Sequence, residues 1–179
     1  MKKFTNAITA AFLMLALIPF ADYCAVSSTS PIYTHFIYMF AHANVFHWLL
    51  NAAALVILHK ILSLPRVATA YITAVAISFL NCQLSIINYQ LSIRTQAVLG
   101  FSVILYFLVG TIIRNAWKHD KTIFWQTILF LTIGFFLPNI AATYHLLPFL
   151  AGFIYHPIEQ NIRSFLQFYT QHPTPNTHD

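Results

Sequence analysis

Two short stretches and one further histidine hold the side chains of this chain that could do chemistry. In FAHANVFHWLLN, Phe40–Asn51, the residues His42, His47 and Asn51 stand at the head of a long apolar run. Ser102 heads a second run in VLGFSVILY, and His145 a third in ATYHLLPFLAG. A serine becomes a useful nucleophile when a nearby imidazole removes its proton. The oxyanion that its attack on a carbonyl creates needs donors already in place. His47, the Asn51 amide and the Ser102 backbone N–H are suitable donors if the first two runs pack side by side.

Other chemistries are poorly supplied. Two zinc histidines on one helix want i, i+4 spacing. His42 and His47 are five apart, about 140° around a helix, and no acid stands near them. The acids are Asp22, Asp120, Glu159 and Asp179, which leaves a metal site, a paired-carboxylate protease or a Ser–His–Asp triad without its parts. Cys24 and Cys82 make neither a metal site nor a disulfide framework. Each polar residue also has a plain structural reading. A serine within an apolar helix often bonds its own backbone. A lone histidine suits a membrane interface. His47 and Asn51, four apart on one face, could join helices.

The elements that must position these residues follow from composition. The chain has 179 residues, of which 59% are hydrophobic and 7% charged, with a mean hydropathy of +0.69. A soluble domain carries roughly 25% charged residues, so an all-α membrane protein is expected. A span needs about 20 apolar residues, and six are predicted. They run roughly over Ala7–Ala25, Val45–Leu62, Val67–Gln83, Ala97–Ile113, Ile123–Ala142 and His145–Ile162. The start, MKKFTNAITAAFLMLALIPFADYC, has a basic end and an apolar middle, but no small-x-small cleavage site follows. It reads as an uncleaved first span.

Charge gives the orientation. With the N-terminus in the cytoplasm, Lys2, Lys3, Lys60, Arg66, Arg114, Lys118, Lys121 and Arg163 fall on the inner side and only Arg94 outside, as the positive-inside rule asks. The net charge of +5 therefore implies no nucleic-acid partner. Residues 1–163 are expected to form the membrane domain. Residues 164–179, ending in QHPTPNTHD, are expected to be a polar, disordered cytoplasmic tail. NCQLSII (Asn81–Ile87) is followed at once by NYQLSIR (Asn88–Arg94), with five of seven positions identical. Residues 81–94 are expected to be a duplicated outer-loop segment.

On this map His42, Asn44, His47, Asn51, Ser102 and His145 come from three spans yet lie within about three helical turns of one membrane face. Polar residues inside a membrane usually face the bundle interior and mark function.

The constellation resembles the rhomboid family of intramembrane serine proteases. The family's second-span pattern H-x4-H-x3-N is matched in full by His42, His47 and Asn51. Its G-x-S-G motif reads Gly100-Phe101-Ser102-Val103 here, keeping the first glycine and the serine. A tyrosine four residues after the serine is typical, and Tyr106 is there. The family's H-x2-G-x3-G reads His145, Pro148 and Gly152. The resemblance covers roughly Ala7 to Ile162, in the minimal six-span form.

It implies Ser102 as nucleophile, His145 as general base and then acid, and His47 and Asn51 lining the oxyanion hole. Tyr106 would pack against the imidazole, and His42 would be a structural polar residue nearby. Gly100 and Gly152 would be supporting residues. No metal or cofactor is implied. The partners would be transmembrane-helix substrates, cut near their outer ends in a plasma membrane of bacterial type. Three departures stand out. Val103 and Pro148 replace small residues that let spans approach, Pro148 being tolerable if its helix starts near His145. The first outer loop, SPIYTHFIYMF, lacks the family's Trp-Arg pair. The repeat lies just before the nucleophile span. Two alternatives remain open: an inactive rhomboid-like protein that binds membrane helices, and a small transporter. A transporter would need polar residues through the full depth, whereas Ala52–Leu58 is apolar.

Overall fold

The computed structural model describes residues 2–27, 29–87, 98–119, 121–136 and 142–171. Among them all regular structure is helical, and the one β contact is an isolated bridge between Val26 and Val98. The fold is all-α. The principal helices are α1 (Lys2–Leu15), α4 (Val45–Ile57), α5 (Leu64–Ile87), α6 (Ser102–His119), α7 (Lys121–Phe136) and α8 (Ala142–Gln171). Two short ones, α2 (Ala21–Cys24) and α3 (Thr34–Ile37), lie in the first connection.

Local sequence explains the breaks. Pro19 removes the N–H that would continue α1. A short 3-10 turn at Ile18–Phe20 leads into α2, and the segment Ile18–Cys24 is bent by 46° from α1. After α3 and the 3-10 turn Tyr38–Phe40, the backbone is extended at Ala41. Asn44 then caps α4, its side-chain oxygen accepting from the His47 N–H at 2.8 Å, which satisfies one of the free donors at a helix start. The bend between these two segments is 80°. One helix, Leu64–Gln83, is by itself long and apolar enough to cross a membrane, and up to three spans result if each bent pair counts as one. Ser102–Arg114 is a shorter apolar helix.

Helices α6 and α8 form the most closely packed pair, with α5 and α7 against them and α1 against α4. The approach of α6 to α8 depends on two glycines. A Cβ at Gly110 would stand 2.1 Å from the Phe149 carbonyl oxygen, and one at Gly152 2.0 Å from that of Phe107. Small residues at such crossings let backbones touch. The core beside this crossing holds Tyr38, Met39, Ile104, Phe107 and Leu108, all at most 1% exposed. Hydrogen bonds fasten the first connection to α5: Tyr38 Oη donates to the Ala74 carbonyl at 3.0 Å, and His35 Nδ1 pairs with Ser78 Oγ at 2.9 Å. At the far end Arg66 Nε meets Glu159 Oε2 at 2.8 Å, joining the start of α5 to α8.

Three expectations need correction. The first repeat copy, Asn81–Ile87, is not an outer loop. It continues α5, and the Asn81 amide donates to the Ile77 carbonyl one turn back. The second copy, residues 88–94, lies outside the described residues. The tail expected from residue 164 begins later, because α8 runs to Gln171 with apolar residues such as Phe165 prolonging its pattern. Residues 172–179 lie outside the described residues. Pro148 is not in the first turn of its helix. With α8 starting at Ala142, it sits in the second. Its ring removes the N–H that would have bonded the Tyr144 carbonyl.

Candidate active site

Ser102 is the first residue of α6. The N–H groups of a helix's first turn have no intrahelical partner, and the helix dipole puts partial positive charge there. The serine thus starts beside donors suited to an anion, its own backbone N–H among them. The turn leading into it is held at two points. Val26 and Val98 exchange backbone hydrogen bonds of 3.1 and 2.9 Å. The Gly100 N–H donates to the Tyr38 carbonyl at 3.1 Å. Gly100 itself has φ +115°, a region costly for any residue with a Cβ.

His145, in the first turn of α8, reaches across to the serine. Ser102 Oγ and His145 Nε2 are 3.0 Å apart, within reach for proton transfer. The Tyr106 ring, one turn along α6 from Ser102, stacks on the His145 imidazole with centroids 4.4 Å apart and planes 23° apart. Tyr144 is buried and meets Tyr38 edge to face, so both sides of this first turn of α8 are packed. Val103, the residue after the serine, is 2% exposed and belongs to the core cluster with Val26, Tyr38 and Tyr144. Its bulk is absorbed there. The close contact of α6 with α8 lies farther along, at Gly110 and Gly152.

The other candidates come from α4. The His47 imidazole lies against Gly100: a Cβ there would be 2.6 Å from His47 Cε1 and 2.7 Å from Nε2. The ring of His47 is therefore at the mouth of the turn that presents Ser102. Asn51 is one turn below, 5% exposed, and its amide nitrogen donates to the His47 carbonyl at 3.0 Å. An amide carries two hydrogens, so one remains for another acceptor. His42 is fully buried and meets the His47 ring edge to face at 5.2 Å. Its ring nitrogens make no well-formed hydrogen bond among the described residues, only a looser contact with the Phe40 backbone.

The structure thus brings Ser102, His145 and Tyr106 together, sets His47 against Gly100, and sets Asn51 and His42 beside His47. Gly152 lies apart from these residues, at the crossing of α8 with α6. Sequence reasoning missed Gly110, its counterpart on α6. The available signal was a lone glycine inside an apolar run, a common mark of close helix approach. It also missed Trp48, whose Nε1 donates to the Ala11 carbonyl at 2.7 Å and fixes α4 to α1. Among the described residues no group of three or more metal-type side chains converges.

No protein-family model, curated protein or solved structure matches the chain.

Proposed function

We propose that the chain is a six-span intramembrane serine endopeptidase of rhomboid type, which cuts transmembrane segments of other membrane proteins near the outer face of a plasma membrane. The observation that carries this reading is the 3.0 Å contact between Ser102 Oγ and His145 Nε2 at the starts of two apolar helices. In support of the bilayer as its solvent, Leu13, Ile57, Leu64 and Ile154 on four different helices are 61–83% exposed. Such outward apolar surface is stable against lipid and not against water. Spans would be α1 with α2, α4, α5, α6, α7 and α8, with both termini in the cytoplasm.

In this reaction Ser102 Oγ attacks the peptide carbonyl while His145 Nε2 takes its proton. The His47 ring, the second Asn51 amide hydrogen and the Ser102 N–H stabilise the oxyanion. His145 then gives the proton to the leaving amine as the C–N bond breaks. Water, activated by the same imidazole, hydrolyses the acyl-serine ester. Tyr106 keeps the imidazole plane in register. The sequence of steps uses no metal or cofactor.

The test is reconstitution into liposomes with a panel of single-span segments that carry helix-breaking residues near their outer ends. Wild type should release two fragments from some members, and Ser102→Ala none. Equal cleavage by both would assign the cutting to another protein.

A further inference from the structure

A groove of about 420 Å³ runs between α1 and α4, open on its outer side and lined by apolar atoms. Ile8 and Ala11 form one wall, and Trp48, Ala52, Ala53 and Val56 the other. The two helices are antiparallel. Trp48 reaches Ala11 at one end, and at the other Lys3 Nζ donates to the Lys60 carbonyl at 3.3 Å while Phe4 and His59 meet edge to face at 5.4 Å. That second end carries Lys2, Lys3 and Lys60, all exposed. Among the described residues none of the three is in an ion pair, and the pair at this end of the bundle joins Arg66 with Glu159.

We propose that this groove binds one anionic phospholipid, with an acyl chain between α1 and α4 and the phosphate held by Lys2, Lys3 and Lys60. Three cations without carboxylates attract a phosphodiester, and basic clusters at the end of spanning helices hold anionic head groups. From Trp48 to Ile57 the α4 wall of the trough is about 14 Å long at 1.5 Å per residue, long enough to take much of an extended acyl chain. The head group would sit at the membrane face opposite Ser102, because α4 starts at the candidate site and the 3-10 turn that follows it, Leu58–Ile61, holds Lys60. The inference rests on the bilayer reading above and not on the Ser–His chemistry.

Trp48 provides the readout. In a Trp117→Phe, Trp125→Phe background it is the remaining tryptophan. The protein is placed in nanodiscs of phosphatidylcholine to which lipid brominated on its acyl chains is added, either phosphatidylglycerol or phosphatidylcholine. Failure to enter nanodiscs at all would count against the bilayer reading. Once incorporated, Trp48 should be quenched at a lower mole fraction of the anionic lipid. Each lysine should contribute about fivefold to that preference, the equivalent of about 1 kcal/mol near the membrane surface. Replacing Lys2, Lys3 and Lys60 by Gln should abolish it. Ala53→Phe, at an exposed position, should block the trough and remove most of the quenching difference with the lysines intact. Equal quenching by both lipids overturns the proposal. So does a preference that survives the lysine replacements. A preference lost with the lysines but untouched by Ala53→Phe reduces it to general attraction of anionic lipid, and overturns the groove.

Discussion

Gly100 lies directly beneath the His47 imidazole, with room for a hydrogen and none for a methyl. A Cβ there would approach the ring to 2.6 Å. The glycine is required twice over, once by this contact and once by its φ of +115°. The turn that presents Ser102 and the ring proposed to help hold the oxyanion are thereby one mechanical unit.

Gly100→Ala should therefore damage stability and chemistry together. Holding an L-residue in this backbone region costs about 1–3 kcal/mol, and the methyl must also displace His47. A lower melting temperature in detergent, with slower reaction of Ser102 in the folded fraction, is the expected pair of results. A variant that melts and reacts like wild type would mean that His47 is not fixed against this turn.

The crossing of α6 and α8 sets the Ser102–His145 distance. Gly110→Ala and Gly152→Ala each put a methyl about 2 Å from a backbone carbonyl oxygen. Overpacking costs about 1–3 kcal/mol and sometimes more, and neither helix can yield locally without moving its start. Both variants should melt earlier and lose reactivity at Ser102, although neither residue touches it. Ala151→Val, on the same helix but at a partly buried site, should be much milder. Thermal melting with parallel labelling of Ser102 checks this.

Arg66 and Glu159 should matter for folding and not for catalysis. Their side chains are 18% and 6% exposed. Removing one partner of such a partly buried pair destabilises, because the other charge stays behind in a poorly solvated place. Arg66→Ala should lower the melting temperature sharply. Glu159→Gln, which removes the buried charge itself, should be milder and keep reactivity within a few-fold. A collapse of reactivity in folded Glu159→Gln would connect this end of α8 to the site.

His47→Ala and Asn51→Ala should slow turnover by about 10²–10³ each, the usual effect of losing one oxyanion donor, with folding retained. His42 should behave differently. Its ring is buried with no well-formed hydrogen bond among the described residues, only a loose contact with the Phe40 backbone, so little hydrogen bonding is lost when it goes. Replacing an unpaired buried polar group by an apolar one of similar size is near neutral or stabilising. His42→Leu should melt no lower than wild type. Turnover and melting temperature measured on all three variants separate the roles. Early melting with normal turnover in His47→Ala and Asn51→Ala would make those residues helix-packing groups.

The parts of the site legible in the sequence were those fixed by spacing within one helix or turn. His42, His47 and Asn51 share a few turns, and Gly100, Ser102 and Tyr106 share another short stretch. What joins different helices was harder. A single apolar run with one glycine does not say which helix that glycine meets, so the pairing of Gly110 with Phe149 could not be read. Nor could the partner of Glu159, ninety-three residues from Arg66 in sequence. The repeat misled because Asn, Gln and Ser look like loop chemistry. In α5 the Asn81 side chain instead bonds a carbonyl one turn back. Pro148 misled for a related reason: a proline in the second turn leaves one carbonyl without its donor, which a packed helix tolerates.

Reaction of the detergent-solubilised protein with a fluorophosphonate, with the modified residue located by peptide mass spectrometry, tests the central claim most directly. It asks only whether the serine is activated, whatever the substrate. A phosphonyl group should appear on Ser102 in wild type, be absent in Ser102→Ala, and form far more slowly in a His145→Ala variant that remains folded. No adduct on Ser102 of folded wild-type protein, or equal labelling with and without the His145 imidazole, would contradict an activated Ser102–His145 pair.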